Sequence, residues 1–158
     1  MKVSISSLVS EACPGLQAGI IKASVGNSET SDALWDELQA EATRIATTYA
    51  TDTLSKRPAI AGTRQAYKTF GKDPARYRVS SEALCRRAIR GLDLYRINTL
   101  VDLINVVSMR SGYSIGGFDA DRIEGDMTNA EIISEFENNL ETEYIMAYNI
   151  TTSTVPTD

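Results

Sequence analysis

The chain contains no histidine among its 158 residues, and this sets the first limit on its chemistry. Ser-His-Asp and Cys-His relays, histidine-ligated zinc and a histidine general base are excluded. Any reaction must rest on carboxylates, hydroxyls, backbone amides, lysine or the substrate itself. The two cysteines, Cys13 and Cys85, lack Cys-x-x-Cys spacing and read as buried thiols.

Three other constellations invite a site. Gly62 to Lys72 resembles a phosphate loop only superficially. That loop needs four residues between its glycines and a hydroxyl after the lysine, whereas Gly62 and Gly71 are much farther apart and Asp73 follows Lys72. Asp119, Asp121, Glu124 and Asp126 form an oxygen-rich cluster. An EF-hand starting at Asp119 would need glycine at 124 and glutamate at 130, where the chain has Glu124 and Ala130, so a solvated acidic turn is expected. Gly112, Gly116 and Gly117 would let backbone N–H groups approach a ligand, or simply form a tight turn after a helix. No metal and no nucleotide cofactor is expected.

Charge is the strongest remaining signal. The formal net charge is −5, but all 16 Lys and Arg residues lie before position 128. Residues 128–158 carry six acidic side chains and no basic one. Between 56 and 96, eleven basic residues face only Asp73, Glu82 and Asp93. Such a block suits a polyanionic partner, and equally suits a solvated helical surface.

The elements that must position these residues follow from periodicity. VSISSLV alternates as a half-buried strand, Cys13-Pro14-Gly15 turns the chain, and LQAGIIKASV reads as a second strand. Ser31 is placed to cap a helix burying Leu34, Trp35, Leu38, Ala42, Ile45 and Tyr49. Pro58 can open a helix closed by Gly71. Ser80 or Ser81 then caps a helix with Ala83, Leu84, Ala88 and Ile89 inward, Arg86, Arg87 and Arg90 outward, and Gly91 at its end. A further helix from Asn98 to Arg110 is expected to bury Leu100, Val101, Leu103, Ile104, Val107 and Met109. TNAEIISEFENNLETEYIMAY reads as an acidic amphipathic helix whose Ile132, Phe136 and Leu140 face packs on the core, followed by a frayed polar tail. A chain of this length, 42% hydrophobic and 23% charged, makes one globular domain. No apolar run approaches the roughly 20 residues of a membrane helix, and no signal peptide is evident, so a cytoplasmic location is expected.

Two motifs in the basic block carry a resemblance. Arg76-Tyr77-Arg78 precedes a helix with Ser81-x-x-Leu84, and Asn98-x-x-x-Asp102-x-x-Asn105 is followed by Gly112-x-x-x-Gly116-Gly117-Phe118-Asp119. This pattern resembles the B3/B4 domain, the tRNA-binding and editing domain of the phenylalanyl-tRNA synthetase β subunit, and is closer to freestanding bacterial B3/B4 proteins. It covers residues 1–127, strongly from 56 onward, while 128–158 looks like an unrelated acidic helix and tail in place of the family's C-terminal strands.

The resemblance implies an α+β fold, a mixed β-sheet packed by helices. It implies tRNA or aminoacyl-tRNA as partner, and a trans-editing role that hydrolyses mischarged aminoacyl-tRNA. Asn98 falls on a pocket asparagine of the synthetase, and Gly116 falls where the synthetase usually has a histidine. Arg96, Ser114 and Gly117 are expected to complete that pocket. Lys68, Lys72, Arg76, Arg78, Arg86, Arg87 and Arg90 are expected to hold RNA. The alternative is a non-catalytic module binding RNA, an amino acid or another small ligand. Aminoacylation is not implied, because no ATP-binding catalytic domain accompanies the block.

Overall fold

Serine and asparagine side chains, glycines and one proline punctuate this chain, and many of its helix boundaries trace to one of them. A computed structural model of the chain describes residues 3–21, 23–118, 127–128 and 149–150. In chain order these form β1 (Val3–Ser4), α1 (Ser7–Ala12), β2 (Leu16–Gln17), α2 (Asp32–Thr48), a 3₁₀ turn (Leu54–Lys56), α3 (Pro58–Thr69), α4 (Ser80–Ile89), α5 (Thr99–Ser111), β3 (Met127–Thr128) and β4 (Asn149–Ile150).

The centre is a triangle of α2, α4 and α5. Ser31 Oγ accepts the Leu34 N–H at 3.3 Å and starts α2 where expected. Leu38, Ala42 and Ile45 recur at helical spacing and are buried, with Leu34, Trp35 and Tyr49 packed at the margin of the same cluster. Leu54, Ile60, Cys85, Ala88, Leu94, Val106 and Met109 complete this cluster. Burial pushes the Cys85 thiol up to about 11, against the pull of the Arg57 charge. Cys85 is therefore a packing residue rather than a nucleophile. Pro58 opens α3 as expected. Gly71, at φ +72°, closes it: the Gly71 N–H reaches the Lys68 carbonyl at 2.9 Å and the Lys72 N–H the Tyr67 carbonyl at 2.8 Å. Gly91 ends α4 by the same pair of bonds, to Ala88 and Arg87.

Several expectations fail, each for a local reason. Among the described residues, only Val3–Ser4 of the strand expected over VSISSLV pairs; from Ser7 the chain is helix α1, because Ser6 Oγ accepts the Val9 N–H and caps it. Of the expected strand over LQAGIIKASV, only Leu16–Gln17 pairs among the described residues. The mixed sheet is not found among the described residues, which are mostly helical. The ladders are two residues long, β1 parallel to β3 and β2 antiparallel to β4. Ile150, expected in a frayed tail, lies in β4 opposite Leu16.

Neither Ser80 nor Ser81 caps α4; Val79 occupies that position without a side-chain bond. Ser81 turns inward instead and donates to the Gly112 carbonyl at 2.9 Å. Ala83 is exposed, and Cys85 takes the inward position expected of it. On α5 the buried face is Asp102, Val106, Ser108 and Met109, while Leu103 and Val107 are exposed. Its apolar residues are too numerous for one face, and a buried carboxylate claims the inward direction. The acidic cluster 119–126 and the apolar stripe of 132–140 lie outside the described residues. No helix among the described residues is long and apolar enough to cross a membrane.

Candidate nucleic-acid interface

Helix α4 sorts its charges by spacing. Glu82 lies on the inward side with Ser81 and Cys85, fully buried. One turn later, Arg86 reaches back to it with Nε at 2.9 Å and Nη2 at 2.8 Å. From α3, Arg64 Nη1 donates to both Glu82 oxygens at 3.0 and 3.1 Å and to the Pro74 carbonyl at 2.9 Å. A buried carboxylate is thus held by two guanidiniums, the condition that makes burying a charge tolerable. Arg86, expected to face outward, is half-buried.

The outer side of α4 differs. Arg78, Ala83, Arg86, Arg87, Arg90 and Leu92 line an open groove of about 300 Å³. Ala83, Arg86, Arg87 and Arg90 share one stripe because they lie three, four and seven residues apart. Arg78 enters from the loop before the helix and Leu92 from the loop after it. Arg87 is fixed by two bonds to the Asp93 carbonyl, from Nε at 3.2 Å and Nη2 at 2.6 Å, and by the Tyr95 ring 4.6 Å from its guanidinium carbon. Among the described residues Arg78 and Arg90 have no hydrogen-bond or ion-pair partner for their guanidiniums, and both are exposed. Nearby, the Tyr77 ring lies 5.6 Å from Lys72 Nζ and 5.5 Å from the Arg76 guanidinium. Lys68 is exposed on α3. Of the seven residues expected to hold RNA, the structure therefore gathers Arg78, Arg86, Arg87 and Arg90 at one groove, with Lys72 and Arg76 around Tyr77.

The five residues expected to line one pocket are spread along α5. Asn98 is its N-cap, with Oδ1 accepting the Val101 N–H at 3.0 Å. The neighbouring N–H groups are also taken, Thr99 by the Ser28 carbonyl at 2.9 Å and Leu100 by Asn27 Oδ1 at 3.1 Å. Buried Asp102 accepts from the Thr30 hydroxyl and from the Ile97 N–H. Arg96 bonds the Asp32 carboxylate at 2.7 Å and the Thr30 carbonyl, with Trp35 5.8 Å away.

At the other end of α5, Arg57 donates to the Met109 and Arg110 carbonyls at 2.9 and 3.0 Å, a cation where the helix dipole favours one. Gly112, at φ +83°, lies so close that a Cβ there would sit 3.3 Å from the Arg57 guanidinium carbon. Ser114 is buried and 3.1 Å from Ser81 Oγ. Ser81 gives its proton to the Gly112 carbonyl, so Ser114 is the donor of that pair. Gly117 approaches Ile104, midway along the helix, and Gly116 is half-buried beside it. Arg96 and Asn98 thus sit at one end of α5 and Ser114 at the other.

Glu82 and Tyr95 received no role from sequence. The i, i+4 spacing of Glu82 and Arg86 was a readable sign of pairing. Tyr95 gave none, since its position depends on how the chain turns at Gly91.

The family model described as the B3/4 domain matches residues 62–150, more than half of the chain and all of α4, α5 and the groove. The match runs past position 127 into the acidic segment. No curated protein and no solved structure matches the chain.

Proposed function

The chain belongs to the B3/4 domain family, and from that membership we propose that it binds RNA, holding the phosphate backbone of a tRNA in the arginine groove on α4. One observation carries this reading. Arg78 and Arg90 are exposed and, among the described residues, without a protein partner for their guanidiniums, and they line one open groove with Arg87. Guanidiniums lining one groove repel one another, and a phosphate accepting bonds from two of them would relieve that repulsion.

Affinity from such contacts is salt-dependent. Each phosphate neutralised adds about 0.7–0.9 to the slope of log K against log salt. The triple variant Arg78→Ala, Arg87→Ala, Arg90→Ala should lower tRNA affinity and flatten that slope by about 2. Unchanged affinity and slope in fluorescence-anisotropy titrations would dismiss the groove.

Trans-editing, which the resemblance to the synthetase domain implies, asks more of the site. It needs a pocket that holds an aminoacyl group and a water beside fixed donors. Asn98 spends its carbonyl oxygen on a helix cap, and Ser114 is buried against Ser81. The geometry therefore favours binding without hydrolysis. A panel of mischarged tRNAs incubated with the protein should lose amino acid no faster than the uncatalysed rate. Accelerated loss that disappears in Asn98→Ala would establish the editing reading instead.

A further inference from the structure

The tyrosines beside the groove say which form of RNA it takes. Tyr95 is 65% exposed although its ring covers the Arg87 guanidinium. Tyr77, one residue before the groove-lining Arg78, is 41% exposed with Lys72 and Arg76 near its ring. Leu92, in the groove wall, is 48% exposed and Ile97 45%. Flat apolar surface is thus left in water beside cations, Tyr95 at Arg87 and Tyr77 at Lys72 and Arg76. Neither ring contributes much to the core.

Resting on the RNA-binding reading above, we propose that the groove is specific for unpaired nucleotides. Phosphates lie on Arg78, Arg87 and Arg90, and flanking bases stack on Tyr95 and Tyr77. The physical reason is access. In a duplex the base faces are already stacked on one another, and only phosphates and groove edges are offered. An unpaired strand presents both a charged backbone and free π-faces, and its bases gain by covering an exposed aromatic ring. The Tyr95–Arg87 contact suits this use. The Asp93 carbonyl fixes the guanidinium, the guanidinium steadies the ring from one face, and the other face is left for a base whose flanking phosphates meet the groove arginines. An arginine cluster alone would serve any polyanion, and the rings are what distinguish a single strand. On a tRNA this directs the groove to a loop or to the unpaired acceptor end.

The test compares two probes, a short unstructured RNA of adenines and cytosines and a duplex RNA of equal length, titrated against the full chain. Wild type should bind the single strand more tightly. Tyr95→Ala should weaken single-strand binding about tenfold, within the range of base–aromatic stacking, and leave duplex binding unchanged. Tyr95→Phe keeps the ring and should bind as wild type, and Tyr77→Ala should act like Tyr95→Ala. Arg90→Ala should weaken both probes. Tyrosine variants that bind both probes normally, or lose both equally, overturn the single-strand proposal. If the arginine variant still weakens both probes in that case, the RNA-binding reading survives. If Arg78→Ala and Arg90→Ala also bind normally, both fail. With Tyr95 so exposed, these variants should keep the wild-type circular dichroism spectrum.

Discussion

The two ends of α5 and the outer face of α4 use the same residue types to opposite ends. At the N-terminus of α5, Asn98, Asn27 and the Ser28 carbonyl take the first N–H groups, and Asp102 is buried under Thr30 and Ile97. At its C-terminus Arg57 takes two carbonyls. Along the outer face of α4, by contrast, Arg78 before the helix and Arg90 at its end have no described protein partner, and Arg87 is fixed by a carbonyl and a ring that leave its charge uncompensated. An arginine is informative about function only once its partners are known. The eleven basic residues between 56 and 96 are not one patch. Arg57 closes a helix, Arg64 and Arg86 neutralise Glu82, and Arg96 is tied to Asp32.

The sharpest way to break this contrast is at Glu82, the buried carboxylate that holds Arg64 and Arg86. Glu82→Gln leaves two guanidiniums partly buried with no counter-charge, and a broken buried pair costs about 3–5 kcal/mol. Urea denaturation should show a loss in that range. A loss below about 1 kcal/mol would mean that the cluster is solvated and the division between structural and free arginines is wrong.

Arg86 and Arg90 sharpen the contrast within a single helix turn, because both line the groove while only Arg86 holds Glu82. Arg86→Ala should cost about 2 kcal/mol, the scale of a hydrogen bond to a buried charge, with Arg64 left as partial compensation. Arg90→Ala should stay within about 0.5 kcal/mol of wild type in stability while weakening RNA binding. Equal stability losses in the two variants would erase the distinction.

What the sequence made legible was local. Ser31, Pro58, Gly71, Gly91 and Asn98 each mark a helix boundary, because capping, ring constraint and positive φ act within a few residues. What it hid was pairing at a distance. Nothing local shows that Arg57 reaches Met109 and Arg110, that Asp102 is buried beneath Thr30, or that Arg64 meets Glu82 across two helices. The N-terminal strands were misread for a related reason: VSISSLV alternates as a strand would, but its serine at position 6 is also a cap, and the cap won. The groove was half legible. Arg78, Arg86, Arg87 and Arg90, expected as a set from the sequence, line the groove together, whereas Tyr95 meets Arg87 because the chain turns at Gly91.

The smallest effect tests whether the closed end of α5 is only structural. Asn98 Oδ1 accepts the Val101 N–H, and the adjacent N–H groups already have acceptors in the 27–28 segment. Asn98→Ala removes one acceptor from a helix start and should cost about 1 kcal/mol. Asn98→Asp keeps an acceptor, adds a negative charge where the helix dipole favours it, and should cost little or nothing. If Asn98 instead met an aminoacyl group through its amide N–H, aspartate could not donate that bond once ionised, and function would fall while stability held. The decisive observation is therefore the aspartate variant. Wild-type stability together with wild-type RNA binding assigns Asn98 to the fold. Wild-type stability with impaired binding or deacylation would place a second functional site at the end of α5 that the structure shows capped.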